Sequence, residues 1–112
     1  MCAKEVKEDI RGVAMEMAGL VEYQKDSVVS RTLISKKVGT ITAFAFDEGQ
    51  GLSEHTAPYD ATVLVLDGEV EITIEGEPLT LRAGGMAIMP ANRPHALVAT
   101  RRFKMLLIMI RE

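Results

Sequence analysis

From Val21 to Ile110 the chain is a succession of short apolar runs with a two-residue period, each stopped by a glycine turn or a Pro-bracketed loop. A period of two is the signature of strands, because successive side chains point to opposite faces of a sheet. "VEYQ", "SVVSRTLIS" and "TITAFAF" are rich in Val, Ile, Thr and Phe, the residues that suit a pleated surface. "DEGQG" is a turn, and "ATVLVL" stops at Asp67-Gly68, a strong turn pair. In "EVEITIE", Val70, Ile72 and Ile74 alternate with Glu69, Glu71, Thr73 and Glu75, so one face of that strand is wet. "PLTL", "MAIMP", "HALVAT" and "FKMLLIMI" complete the series, with the loop Ala91-Asn92-Arg93-Pro94 before His95. Strands at a spacing of roughly 8–12 residues, joined by Gly turns, give an all-β antiparallel sandwich or barrel.

Two features modify that picture. Upstream of Val21 the period is helical: Val6, Ile10, Val13, Met17 and Leu20 stand at gaps of four, three, four and three. They form one apolar stripe and predict a short N-terminal helix over about residues 4–19, ending near Gly19. The strands "TVLVL" and "MLLIMI" are apolar on both faces. Their outer faces need cover from the N-terminal helix or from a second subunit. A homodimer is expected, burying part of Leu64, Leu66, Leu106 or Ile108 or the sheet edge near them.

The 112 residues suit a single domain, 1–112, with the strands over about residues 21–111. The net charge of −3 and pI of about 5.4 offer no basic face for nucleic acid. The longest apolar run, Met105 to Ile110, is far short of a membrane span. The first ten residues are charged and lack the pattern of a signal peptide. A cytoplasmic protein is therefore expected. The single cysteine, Cys2, cannot form an intrachain disulfide or share in a Cys-rich zinc site. No Ser sits on a strained nucleophile elbow, and "GQG" leads into a strand, unlike a phosphate loop.

The chemistry-bearing residues are the only two histidines, His55 and His95, each at a strand boundary. Forty residues apart, they face each other only if the sheet closes on itself. Gly49 precedes His55 with five residues between, and Gly68 follows at a fixed distance; Gly84, Pro90, Asn92 and His95 repeat the pattern downstream. In these residues the chain resembles the cupin family. The family's first motif is Gly, five residues, His, one, His, three or four, Glu, six, Gly. Here Gly49, His55 and Gly68 match, while Ala57 takes the second His slot and Ala61 or Thr62 the Glu slot, with Asp60 beside it. The second motif is Gly, five residues, Pro, one, Gly, two, His, three, Asn. Gly84, Pro90 and His95 match; Asn92 takes the Gly slot and Ala99 the Asn slot. Asn for Gly is compatible with a left-handed backbone. The match runs from Gly49 to Ala99, about half the chain.

The resemblance implies a small antiparallel jelly-roll β-barrel and a site that commonly holds one divalent metal ion, Zn, Ni, Mn or Fe, on three His and one Glu. This chain keeps two of those ligands. His55, His95 and Asp60 would be the metal-binding set, a facial triad with open positions. His55, His95, Tyr59 and Arg93 would contact a small-molecule ligand, Tyr59 at the rim and Arg93 as an anion clamp at the mouth. Glu54 reads as a solvated charge, and Arg101-Arg102 as a turn. Met86, Met89, Met105 and Met109 either pack the core or line a soft cavity. The expectation is a stand-alone barrel that binds a small organic ligand, with or without a weakly held divalent ion. The alternatives are a metal-dependent enzyme of oxygenase or isomerase type and a non-catalytic structural or regulatory dimer.

Overall fold

The computed structural model describes residues 9–111. Nine strands follow one another: β1 (Val28–Lys36), β2 (Gly39–Phe46), β3 (Gly51–His55), β4 (Ala61–Asp67), β5 (Glu69–Ile74), β6 (Glu77–Arg82), β7 (Met86–Met89), β8 (His95–Ala99) and β9 (Phe103–Ile110). They pair antiparallel in two sheets, a five-stranded β1-β2-β9-β4-β7 and a four-stranded β3-β8-β5-β6. Chain-adjacent strands such as β3 and β4 lie in different sheets, which is the connectivity of a jelly roll. No hydrogen-bonded strand pair joins the two sheets among the described residues, so they face each other as layers.

Alternation decides which side chains enter the space between the layers. From the large sheet come Phe46, Ala61, Val63, Val65, Met89, Phe103 and Met105; from the small sheet come Val70, Ile72, Leu97 and Ala99. Phe46 and Phe103 are paired in register and stack with ring centroids 4.7 Å apart, a contact worth about 1 kcal/mol beyond its burial. The expected alternation in β5 holds: Val70 and Ile72 are buried, and Ile74 packs against the same core.

The turns follow the backbone chemistry of their residues. Gly68, between β4 and β5, has φ +79°, and a Cβ there would meet the Arg102 carbonyl. Asn92 stands at φ 62°, the left-handed conformation its motif slot requires.

The N-terminal helix needs correction. Residues 4–8 of the expected span lie outside the described residues. Residues 9–16 form no helix, and only a 3₁₀ turn, Met17–Gly19, is helical. Gly12 takes φ +78°, which interrupts a right-handed helix. Among the described residues, the outer face of the large sheet buries Leu20 and Val21, with Tyr23 packed beside them. Val13 and Met17 stay exposed, Met17 at 56%, so the stripe that would have stabilised a helix is not buried. The segment instead runs as a strap. Lys104 Nζ donates to the Ala18 carbonyl, Arg31 donates to the Leu20 carbonyl at 3.0 Å, and the Tyr23 hydroxyl donates to Asp67 at 2.6 Å. "VEYQ", expected as a strand, belongs to this strap and pairs in neither sheet.

Candidate functional site

Strand β3 places the first histidine by an irregularity. Leu52 pairs with Leu97, yet His55 pairs with His95. Three residues on β3 thus oppose two on β8, which is a β-bulge. Regular alternation from inward Leu52 would aim Glu54 into the interior and His55 out. The extra residue reverses this and puts His55 beside His95. On β8 no such device is needed, because His95 shares the inward face with Leu97 and Ala99.

The two imidazoles meet edge to face, with centroids 4.4 Å apart and planes at 69°. Each is held in the same way. His55 Nδ1 lies 2.8 Å from the Ser53 carbonyl oxygen, and His95 Nδ1 lies 3.1 Å from that of Arg93. A carbonyl oxygen only accepts, so each Nδ1 carries the hydrogen and each Nε2 keeps a free lone pair. That is the arrangement in which imidazole serves as an acceptor or a metal ligand. His95 is 4% exposed, and burial pushes its pKa down, with the neighbouring His55 acting in the same direction against the Arg93 carbonyl. His55 is exposed and forms the mouth.

Behind the rings lies a cavity of about 40 Å³. Its walls include Leu52, Ala57, Ala61, Met89, Leu97 and Met109. Ala57 and Ala61, the two slots where larger ligand side chains stand in the resembled motif, therefore do face this space. So do Met89, Met105 and Met109, whereas Met86 points to the opposite face and is exposed.

Asp60, Tyr59 and Arg93 take up other positions. Asp60 Oδ1 accepts the Ala91 N–H at 2.8 Å, and Asp60 and Tyr59 line a separate surface depression with Pro58 and Arg111. Asp60 thereby ties the loop after His55 to the loop before His95, as does the Asn92 N–H on the Ala57 carbonyl at 2.7 Å. The Tyr59 ring lies under the Arg111 guanidinium. Arg93 pairs with Glu75 at 2.9 Å, so its side-chain charge is compensated; its backbone carbonyl is the part that reaches the site. Arg101 and Arg102 face Glu69 and Asp47, and Glu54 is exposed.

Among the described residues, no three His, Cys, Asp or Glu side chains come together around one point. Two imidazoles without a carboxylate do not fit the divalent set of Zn, Ni, Mn or Fe, which takes three or four protein ligands or a hard oxygen donor. The sequence order alone misses the Ser53 and Arg93 carbonyls, because backbone partners leave no side-chain signal.

Comparison with known proteins agrees with this fold. A family model described as a cupin domain matches residues 43–111. A conserved protein of unknown function from Streptococcus pyogenes is 33% identical, with 100% of this chain and 98% of that chain covered and a TM-score of 0.89. A cupin 2 conserved barrel domain protein from Leptotrichia buccalis is 43% identical with a TM-score of 0.81; the match covers 84% of this chain but 46% of that one. A cupin superfamily protein from Desulfitobacterium hafniense is 28% identical, with 97% and 100% covered and a TM-score of 0.88. No curated protein matches the chain significantly.

Proposed function

The chain belongs to the cupin-domain family, and from that premise we propose that it is a small binding module whose cavity receives the head of a small organic guest. The observation that carries this reading is the pair of imidazoles, each with its Nδ1 on a backbone carbonyl and its Nε2 left as an acceptor, at an apolar cavity that both line. Two neutral imidazoles offer acceptors only. The guest they suit presents O–H or N–H donors, as a small alcohol, phenol or amide does. The size limits what enters. A water needs about 10–15 Å³ of such space, so a cavity of about 40 Å³ admits two or three heavy atoms. The rest of the guest would lie outside, past His55. Carboxylates are disfavoured while both rings are neutral, because Arg93 is already paired with Glu75.

The test is a fragment titration of chelator-treated, metal-free protein followed by ¹H–¹⁵N and methyl NMR. Small alcohols, phenols and amides should shift His55, Ala96 and Met89, and carboxylates should do so only at acid pH. The double variant His55→Ala, His95→Ala should lose these shifts. Shifts that persist in the double variant, or that map to the depression beside Tyr59, would place the guest elsewhere.

The same reading extends to assembly as a homodimer through the outer face of the large sheet. Ile34, Ile41, Ile108, Thr62 and Ile88 stand side by side across all five strands. Ile88 is 54% exposed and Ile34 is exposed too. Among the described residues, the strap packs with Leu106, Leu64, Leu66 and Ile41, and leaves Ile34 and Ile88, at the two ends of this row, exposed.

A further inference from the structure

We propose that the depression beside Tyr59 is a second binding site, for a small zwitterion that carries a carboxylate and an ammonium group next to an apolar side chain, the chemistry of a free apolar α-amino acid. The site is separate from the His55–His95 cavity, and the inference does not rest on the guest-binding reading.

Three observations carry it. The first is the size and the walls. The depression measures about 440 Å³, against about 40 Å³ for the histidine cavity, and falls within the range of about 300–1,000 Å³ that small-molecule sites occupy. Pro58, the Tyr59 ring, Ala91 and Ile110 give it apolar walls, and Asp60 and Arg111 give it one charge of each sign. Ile110 is 65% exposed, so its side chain offers apolar surface that an apolar guest would remove from water.

The second is that the two charges do not neutralise each other. Among the described residues, no ion pair joins Arg111 to Asp60 or to another carboxylate. Arg111 Nη1 reaches the Lys36 and Lys37 carbonyls at 3.4 and 3.5 Å, the outer limit of hydrogen bonding. Its other side-chain N–H groups are left as donors. Asp60 accepts the Ala91 N–H on Oδ1 and has no other hydrogen bond among the described residues, so Oδ2 is left as an acceptor. An anion entering the depression meets the Asp60 charge, and a cation meets that of Arg111. A zwitterion satisfies both, with its carboxylate on the planar guanidinium and its ammonium on Asp60.

The third is preorganisation. The Arg111 backbone N–H donates to the Val38 carbonyl at 2.6 Å, and its guanidinium lies 5.3 Å from the Tyr59 ring centroid. Asp60 is fixed by the Ala91 N–H, and the Asn92 N–H on the Ala57 carbonyl ties the same two loops. Both charged groups are thus placed before a ligand arrives, which lowers the ordering cost of binding.

An arginine over a tyrosine ring also occurs as packing alone, so the test must separate recognition from packing. The full chain, freed of metal, is titrated at pH 7 with L-leucine and followed by ¹H–¹⁵N NMR. Saturable shifts should appear at Tyr59, Asp60, Ala91 and Arg111. N-acetylleucine lacks the ammonium and leucinamide lacks the carboxylate; each should bind at least about tenfold more weakly, as loss of a charge-assisted contact requires. Glycine, without an apolar side chain, should also bind more weakly than leucine. Asp60→Asn keeps an acceptor oxygen for the Ala91 N–H; it should weaken leucine by about tenfold and leave N-acetylleucine no weaker than in wild type. Arg111→Gln should weaken leucine and N-acetylleucine alike. His55→Ala with His95→Ala should leave leucine binding unchanged, which separates this site from the cavity. If a variant does not fold, the ligand series on wild type decides. No saturable shift at these residues, N-acetylleucine, leucinamide or glycine binding as tightly as leucine, or shifts confined to the lining of the His55–His95 cavity would overturn the proposal.

Discussion

His95 holds a proton less readily than a free imidazole, first because its ring is buried and then because His55 adjoins it. The consequence for stability has a definite sign. The unfolded chain takes up a proton near the ordinary value of about 6.5, and the folded chain does so at lower pH. Over that interval the unfolded state binds more protons, so stability rises with pH. The contribution is fully present above about pH 6.5 and is lost as pH falls through the folded-state pKa. Urea denaturation of metal-free protein between pH 5 and pH 8 should therefore show wild type losing more stability on acidification than His95→Gln. Parallel losses in the two proteins would mean that the acid sensitivity arises at another group. Asn92 and Gly68 belong to the same scale and were legible from sequence: both occupy the left-handed region, as their motif slots imply.

Among the elements, the strap from Met17 to Tyr23 and strand β3 depart most from simple periodicity. The strap docks through Leu20 and Val21 onto Ala43, Ala45 and Leu106, and it is fastened by Lys104 and Arg31 on backbone carbonyls. Truncating Leu20 removes half of its apolar anchor. Leu20→Ala should cost about 2 kcal/mol, the low end for a buried leucine because the site lies at the surface. Met17→Ala, in an exposed neighbour, should stay within about 0.5 kcal/mol. Urea midpoints at constant slope check both values. Equal effects would show that the strap contributes through its backbone bonds rather than through Leu20. In β3 the bulge between Leu52 and His55 plays the corresponding part for the site, since without it the side chain beside His95 would be Glu54.

For the whole molecule, two facing sheets bury one core and leave one outer face half covered. β4 and β9 are apolar on both faces, and on the outer face the strap covers Leu106 and part of Leu64 and Leu66. Among the described residues, what remains exposed is the two ends, Ile34 and Ile88, of a row that spans the width of the sheet. Contiguous apolar strips of that kind mark association sites. Sedimentation velocity at micromolar concentration should therefore give a dimer, and Ile34→Lys with Ile88→Lys should give a folded monomer. A monomeric wild type, or a double variant that still dimerises, would remove this face from the assembly. The membrane bears on this only in a limited way: no helix among the described residues is long and apolar enough to cross one.

The amino-acid sequence by itself determined the strand series apart from "VEYQ", because alternation and turn residues act within a few positions and, from β1 onward, tertiary contacts reinforce rather than override them. It also determined the two histidine slots and their family, because Gly and Pro spacing records backbone conformation directly. It did not determine the fate of the N-terminal stripe, since a helical period becomes a helix only where a surface exists to bury it. Nor did it determine which side chains share the cavity. Asp60, two residues from the motif's centre, turned out to brace a loop. Met89 and Met109, twenty residues apart, flank Ala61 from either side and line the same cavity. Most of all, the direction of His55 rests on one extra residue in β3, and a bulge is a property of the pairing between two strands. Only the tertiary structure, by setting β3 against β8, decided that His55 would stand against His95.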